Sequence, residues 1–298
     1  MENYLIGDIE YGGFGAMWAR RKLLVQISEA FGLIPIYRFT NHGYPDPFKP
    51  IGPTFQNLIE NQMLTSQIPL FGFVKSAAKV QYFHFEKYWA SEFRRKYQIW
   101  HPDGRDYMGY SGQLYSRFNL NQGFTEQVST EVNRVINSFR VESLSNFVGI
   151  HFRRGDKLTE LAKYLDPEVV INLVKSQYVG SPLYVCSDDN DFLHHLEYAH
   201  RGDIQIFFDR EESRFSDATM SNAEYVRRNP AKASTEVVTF LKNTFLLSSC
   251  KAVFGMHSSQ LTKISGSIGS YLKGKVGMHL IDPVTNALRT MGDSVETS

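Results

Sequence analysis

From Phe147 onward the sequence alternates short apolar runs with longer amphipathic ones, and no other feature restricts the fold as strongly. Residues 147–152, 183–186, 204–208, 252–256 and 276–281 are dominated by Val, Ile, Leu, Phe and Tyr, as in strands covered on both faces. Helical stretches separate them. Asp166-Pro167-Glu168 opens one of these, with a side-chain cap and a proline at the first helical position. Others span 189–199, 234–249 and 260–272, the last with Leu261, Ile264, Ile268 and Leu272 along one side. Repeated βα units predict an α/β protein with a parallel, doubly wound sheet. Val276 to Ile281 is expected to be the last strand, and the final dozen residues are expected to fray.

The chemistry concentrates at the end of the first of these strands. Phe147-Val-Gly-Ile-His-Phe152 runs directly into Arg153, Arg154, Asp156, Lys157 and Glu160. Open α/β sheets bind ligands at the carboxyl ends of their strands, so these charges stand where a ligand is expected. Adjacent guanidinium groups offer planar forks suited to phosphate, and Asp156 can hold one of them in place. By itself Arg-Arg-Gly-Asp reads sooner as a solvated turn at a strand end than as a ligand site. Arg-Gly-Asp occurs twice, at 154–156 and 201–203, and an adhesion role would need both tripeptides at exposed tips. The first of them follows a buried strand.

The N-terminal half is less explicit. Tyr4 to Ile9 reads as a strand, Tyr11 to Gly15 as a glycine turn, Ala16 to Phe31 as a helix, and Leu33 to Phe39 as a second strand. A strand, a glycine turn and a helix N-terminus together present free backbone N–H groups to an anion. The turn is not the dinucleotide-binding glycine pattern. Between 40 and 125, Pro45, Pro47, Pro50 and Pro53 interrupt any regular element. Phe85, Trp89 and Phe93 recur at helical spacing, which fits a core helix better than a sugar-stacking platform. Thr125 to Phe139 is an amphipathic helix leading into the central strand. The expected domains are therefore 1–143 and 144–298. Residues 210–232 are polar and are expected to form a mobile loop.

Composition removes several classes. A formal net charge of +1 gives no support for binding nucleic acid or an anionic membrane. Cys186 and Cys250 both lie in apolar runs, which indicates buried thiols rather than a disulfide framework. No window approaches the length of a membrane span, and the first residues lack the charge and hydropathy of a secretory leader.

Three blocks carry a resemblance to a known family. His151-Phe-Arg-Arg-Gly-Asp-Lys157 resembles the nucleotide-binding motif His-x-Arg-Arg-x-Asp-Lys of the α1,6-fucosyltransferases and the nodulation-factor fucosyltransferases. Val185-Cys-Ser-Asp-Asp189 resembles that family's strand ending in paired aspartates, and Phe245 to Gln260 resembles its last helix, strand and Ser-Ser-Gln turn. The resemblance covers the C-terminal half and touches the N-terminal half only through the glycine turn. It implies the GT-B fold, two Rossmann-like lobes facing across a cleft. It implies an enzyme with no cofactor, transferring fucose from GDP-fucose to an oligosaccharide or glycoconjugate acceptor. Asp188 and Asp189 lack the intervening residue of a metal-binding Asp-x-Asp and the arginines already supply positive charge, so the enzyme is expected to be metal-independent; the family's Golgi relatives carry an anchor and a stem that this sequence lacks, so a cytoplasmic enzyme is expected.

Roles follow residue by residue from that resemblance. Arg153 and Arg154 supply positive charge for the donor's diphosphate, Arg153 gripping the phosphates and Arg154, on the other face of the strand, turned toward Asp156 in a supporting pair. Gly13, Gly15, His151, Asp156, Asp188, Asp189, Ser258, Ser259 and Gln260 bind the donor. Glu160, which matches the family's Thr-Glu if one residue is deleted, is the base on the acceptor hydroxyl, with Lys157 beside it. Asn243 stands where the relatives carry an aspartate associated with guanine, so either the preference for guanine is weaker or His151 and backbone groups supply it. A transferase for another GDP-hexose and a non-catalytic glycan- or nucleotide-binding module are the alternatives.

Overall fold

A computed structural model describes residues 4–9, 13–30, 34–39, 44–49, 80–84, 118–154, 164–214, 220, 222–273, 276–285 and 288–291. Within the chain two compact units separate, Met1–Gly109 and Tyr110–Ser298.

The first unit holds a parallel sheet of β1 (Tyr4–Ile9), β2 (Ile34–Phe39) and β3 (Val80–His84), in the order β2-β1-β3. Tyr4 is in register with Ile34 on one side and Val80 on the other. β3 lies in the stretch where the prolines gave no expectation of a strand. Helix α1 (Phe14–Ala30) joins β1 to β2 and packs on both. Phe14, Met17, Trp18, Arg21, Val25 and Ser28 recur every three or four positions along one buried face, and Lys22 and Leu24 widen it. Phe14 and Trp18 meet Tyr44 and Phe48 in a cluster of aromatic rings. Arg21 passes through this cluster to Asp46, its guanidinium 5.1 Å above the Phe48 ring. The expected aromatic helix with Phe85, Trp89 and Phe93 lies outside the described residues.

In the second unit the sheet runs β6-β5-β4-β7-β8-β9. Its strands are β4 (Val148–Phe152), β5 (Leu183–Ser187), β6 (Ile206–Phe207), β7 (Ala252–Met256), β8 (Gly277–Ile281) and β9 (Leu288–Met291). Every pairing is parallel except β8 with β9. The alternation of apolar and amphipathic segments thus gives the expected mixed α/β fold with a parallel sheet. Two expectations need correction. Val276–Ile281 is not the last strand: Leu288–Met291 returns beside it, Ile281 opposite Leu288. Residues 210–232 are not all loop either, since Asn222–Arg228 forms a helix, α5, and Pro230–Lys232 a helical turn. A seven-residue helix is too short for its periodicity to stand out in a polar stretch.

Helices α2 (Gln122–Phe139) and α6 (Ala233–Ser248) cover one face of the sheet. Val135, Leu246, Leu247 and Cys250 pack there on Phe147, Tyr184 and Cys186. Both cysteines are free and buried. Helices α3 (Pro167–Gln177) and α4 (Asn190–Ala199) cover the other face, burying Val170, Ile171, Val174, Leu193 and Leu196 against Val148, Ile150 and Phe152. α3 begins as its sequence requires: the Asp166 side chain accepts the Glu168 N–H at 3.0 Å ahead of Pro167. The weakest strand former in β4 also has a reason. A Cβ at Gly149 would stand 2.8 Å from Leu247 and 3.1 Å from the Cys250 sulfur, so glycine lets α6 settle on the central strand. α2, which the expected boundary at 143 assigned to the N-terminal domain, belongs by its contacts to the unit that begins at Tyr110, where it packs on α6.

Candidate functional site

The strand order creates one special position. From β4 the chain moves outward through β5 to β6, then returns across to β7 on the other side of β4 and moves outward through β8. The order reverses between β4 and β7, and ligands of open α/β sheets lie at the carboxyl ends of such a pair. Phe152 leads there into Arg153 and Arg154. Met256 leads into His257, Ser258 and Ser259, and then into helix α7 (Gln260–Lys273).

His151 on β4 and Arg154, two residues past its end, turn to opposite sides. The His151 ring is buried and its Nδ1 lies 2.8 Å from Ser259 Oγ and 3.3 Å from Thr262 Oγ1. Burial, reinforced by the charge of Arg153, lowers its pKa to about 3, so the imidazole is neutral. Arg154 points the other way. Its guanidinium sits 3.8 Å above the Phe192 ring and 5.1 Å from that of Tyr164, and Nε is buried. Phe192 in turn meets Phe152 edge to face. Burial lowers the pKa of Arg154, opposed by Asp189, Tyr164, Asp188 and Asp166. Rings and hydrophobic packing hold this arginine, and no sequence pattern identifies Tyr164 or Phe192 as its partners.

The paired aspartates are divided between two tasks. Asp188 accepts the backbone N–H of Arg154 at 2.7 Å and reaches the Arg153 Nε at 3.8 Å, fastening the two strand ends together. Asp189 caps α4 by accepting the Phe192 N–H at 2.9 Å. The β7 end is less occupied. Ser258 Oγ and His257 Nδ1 are buried without a hydrogen-bond partner among the described residues. Ser259 turns its hydroxyl inward, to His151 and to the Thr262 N–H at 3.3 Å. Arg153, its side chain 30% exposed, and the Ser258 hydroxyl at the start of α7 therefore stand on neighbouring strand ends. A guanidinium, a hydroxyl and a helix N-terminus suit an anion.

Asn243 is buried on α6 with a hydrogen bond at each amide atom. Tyr184 donates to its Oδ1 at 3.0 Å, and its Nδ2 donates to Glu212 at 3.0 Å. Behind it runs a charge network that the sequence reading missed. Lys242 Nζ lies 2.6 Å from both Asp209 and Glu212, and Arg134 grips Asp209 with two bonds of 3.1 and 2.7 Å. Burial pushes the Asp209 carboxyl up, but Arg134 and Lys242 outweigh it and leave the pKa at about 2. The one available signal was Lys242 itself, a charge inside an otherwise apolar helical run.

Gly13 stands immediately before α1, its carbonyl accepting the Ala16 N–H at 2.9 Å, and Gly15 lies within the helix's first turn. Asp156, Lys157 and Glu160 fall outside the described residues. Among the described residues no group of His, Cys, Asp and Glu is arranged to hold a metal ion, and no helix is long and apolar enough to cross a membrane.

No protein-family model matches the chain, and no curated protein matches it by sequence. Solved structures match in fold. The α1,6-fucosyltransferase NodZ soaked with GDP-fucose superposes with a TM-score of 0.53 at 13% identity, over 98% of this chain and 99% of that one. The fucosyltransferase NodZ from Bradyrhizobium gives 0.53 at 12% identity, again over 98% and 99%. POFUT1 in complex with GDP gives 0.51 at 11% identity, over 92% of this chain and 96% of that one. At these identities the likeness concerns the fold.

Proposed function

We propose that the chain is an inverting glycosyltransferase of GT-B type that moves L-fucose from GDP-β-L-fucose to a carbohydrate hydroxyl, α1,6 on a GlcNAc-type acceptor. The observation that carries this reading is Arg153, half-open at the point where strand order reverses and next to the N-terminus of α7, in a fold shared with fucosyltransferases solved with GDP or GDP-fucose. Breaking the bond from the anomeric carbon to the diphosphate puts negative charge on the leaving group. Arg153, the Ser258 hydroxyl and the first N–H groups of α7 are the donors that offset it, and they do so without a metal. A donor-binding role for Gly13 and Gly15 rests on the resemblance alone. His151 and Gln260 contact the nucleotide, Arg154, Asp156 and Asp188 hold the arginine loop in shape, and Asp189 and Ser259 support it from behind. Glu160 takes the proton of the attacking hydroxyl, and Lys157 keeps that carboxylate ionised. The enzyme works in the cytoplasm, on an oligosaccharide or glycoconjugate.

A transferase for another GDP-hexose is the second reading. Asn243 does not separate the two readings: its amide, engaged by Tyr184 and Glu212, offers guanine no carboxylate, which concerns the base common to both donors and not the sugar. The deciding assay presents the purified protein with GDP-fucose, other GDP-hexoses and UDP-sugars, with GlcNAc oligosaccharides and with EDTA. Acceptor-dependent GDP release from GDP-fucose, surviving EDTA and reduced about 10²–10⁴-fold by Glu160→Gln, is expected. Release from UDP-sugars alone, or turnover that needs an added divalent cation, refutes the reading.

A further inference from the structure

The hydroxyls around His151 do more than fill space. Ser259 Oγ accepts the Thr262 N–H at 3.3 Å, which is the capping bond of α7. Its own proton is then free, and the acceptor within reach is His151 Nδ1 at 2.8 Å. Thr262 Oγ1 approaches the same nitrogen at 3.3 Å. The single lone pair of a bare Nδ1 takes the nearer proton, that of Ser259, and Thr262 shares it more weakly; if Nδ1 carried a proton, the Ser259 proton would need another acceptor, and it has none among the described residues. Nε2 is in the opposite situation. It has no partner among the described residues and is not among the enclosed, unpartnered atoms, although the residue as a whole is only 6% exposed.

Close packing maintains this arrangement. A Cβ at Gly255 would stand 2.3 Å from Thr262 Oγ1 and 3.1 Å from the His151 carbonyl oxygen. Only glycine at that point of β7 lets the threonine hydroxyl reach the histidine, since real Cβ atoms do not approach so near. The positions of α7, β7 and β4 are thus tied together at one imidazole nitrogen.

We infer that Ser259 and Thr262 are positioning residues that lock His151 as the neutral tautomer protonated on Nε2, so that it presents a hydrogen-bond donor to an acceptor atom of the bound nucleotide. The ligand in this statement rests on the function proposed above; the tautomer does not. A histidine locked in this way cannot serve as the base of the reaction, because the nitrogen that could accept a proton already receives one from Ser259. It contributes binding without adding charge.

The imidazole nitrogens report directly. In nitrogen-15-labelled protein, with His151→Gln to assign the signals, Nδ1 is expected in the pyridine-type range and Nε2 in the pyrrole-type range. Ser259→Ala should move both toward the average of the two tautomers and weaken GDP binding about tenfold, while Ser259→Thr restores both. Thr262→Val leaves the capping hydroxyl in place and should give a smaller change of the same sign. A pyrrole-type Nδ1 in the wild type overturns the inference, as does a tautomer unchanged in both Ser259→Ala and Thr262→Val. The expected tautomer in a protein without affinity for GDP supports the lock and removes the nucleotide reading.

Discussion

Replacing Lys242 by methionine tests how much the hidden charge network contributes. The side chains of Lys242, Asp209 and Glu212 are 2%, 2% and 7% exposed, and the ammonium lies 2.6 Å from each carboxylate. Methionine fills much the same volume, so the change removes charge rather than packing. Deleting one member of a buried ion pair costs about 3–5 kcal/mol, mostly because the partner stays behind uncompensated. Here the lower end applies. Asp209 retains both bonds from Arg134, and Glu212 retains the Asn243 amide and Arg214 at 3.5 Å. The expected loss is about 3 kcal/mol, which for a unit of this size lowers the melting temperature by roughly 6–12 °C. Urea unfolding followed by far-ultraviolet circular dichroism gives the number. Adding Glu212→Gln to the Lys242→Met variant should recover part of it, since the orphaned charge is then gone. A single variant that loses less than about 1 kcal/mol, or a double variant that is worse by the sum of the separate effects, refutes the argument that burial makes this network costly to break.

Three further outcomes follow. Arg153→Lys should lower kcat almost as far as Arg153→Ala, because an ammonium cannot bridge two phosphate oxygens in a plane, whereas Arg154→Lys should lose its ring contacts and reduce stability more than turnover; steady-state kinetics with donor varied, alongside melting curves, separates the two, and the reverse pattern would exchange their roles. Asp209 has a folded pKa depressed to about 2, so its contribution of about 2 kcal/mol is present above pH 4 and is lost as pH falls from about 4 to 2; in Asp209→Asn the acid limb of the stability curve should flatten in that window. Gly255→Ala should cost about 1–3 kcal/mol by overpacking and should also disturb the His151 nitrogen signals, and a variant with wild-type stability and spectrum contradicts the contact geometry.

The sequence made some of this plain and concealed the rest for physical reasons. β4, β5 and β7 are buried along their whole length, and burial of that kind leaves a short, near-continuous apolar run that its length and flanking helices mark as a strand. Asp166-Pro167 announces a helix because cap and proline act locally. β3 is different: Val80-Gln-Tyr-Phe-His84 mixes polar and apolar residues without flanking punctuation, and its pairing with β1 is long-range. β9 is short, antiparallel and four residues long, so it carries little pattern. Within the site, the strand end bearing Arg153 was legible because charge follows an apolar run. The ring cradle of Arg154 was not, since Tyr164 and Phe192 come from other elements and aromatic residues at helix starts are ordinary. Glu212, likewise, looked like one more charge in a polar loop until its partners were in view.

The place of β4 in the sheet has a consequence for how the protein is made. β4 pairs with β5 soon after synthesis, but its other edge waits for β7, with Val148 opposite Ala252 about a hundred residues later. A ribosome adding 5–20 residues per second leaves that edge bare for roughly 5–20 seconds. During that interval a strand that ends up buried along its whole length offers unpaired N–H and C=O groups to any neighbouring chain, which is the ordinary route to misassembly. Nascent chains ending before Ala252 should therefore be the ones that chaperones hold, and release should follow once α6 and β7 have emerged and closed the edge.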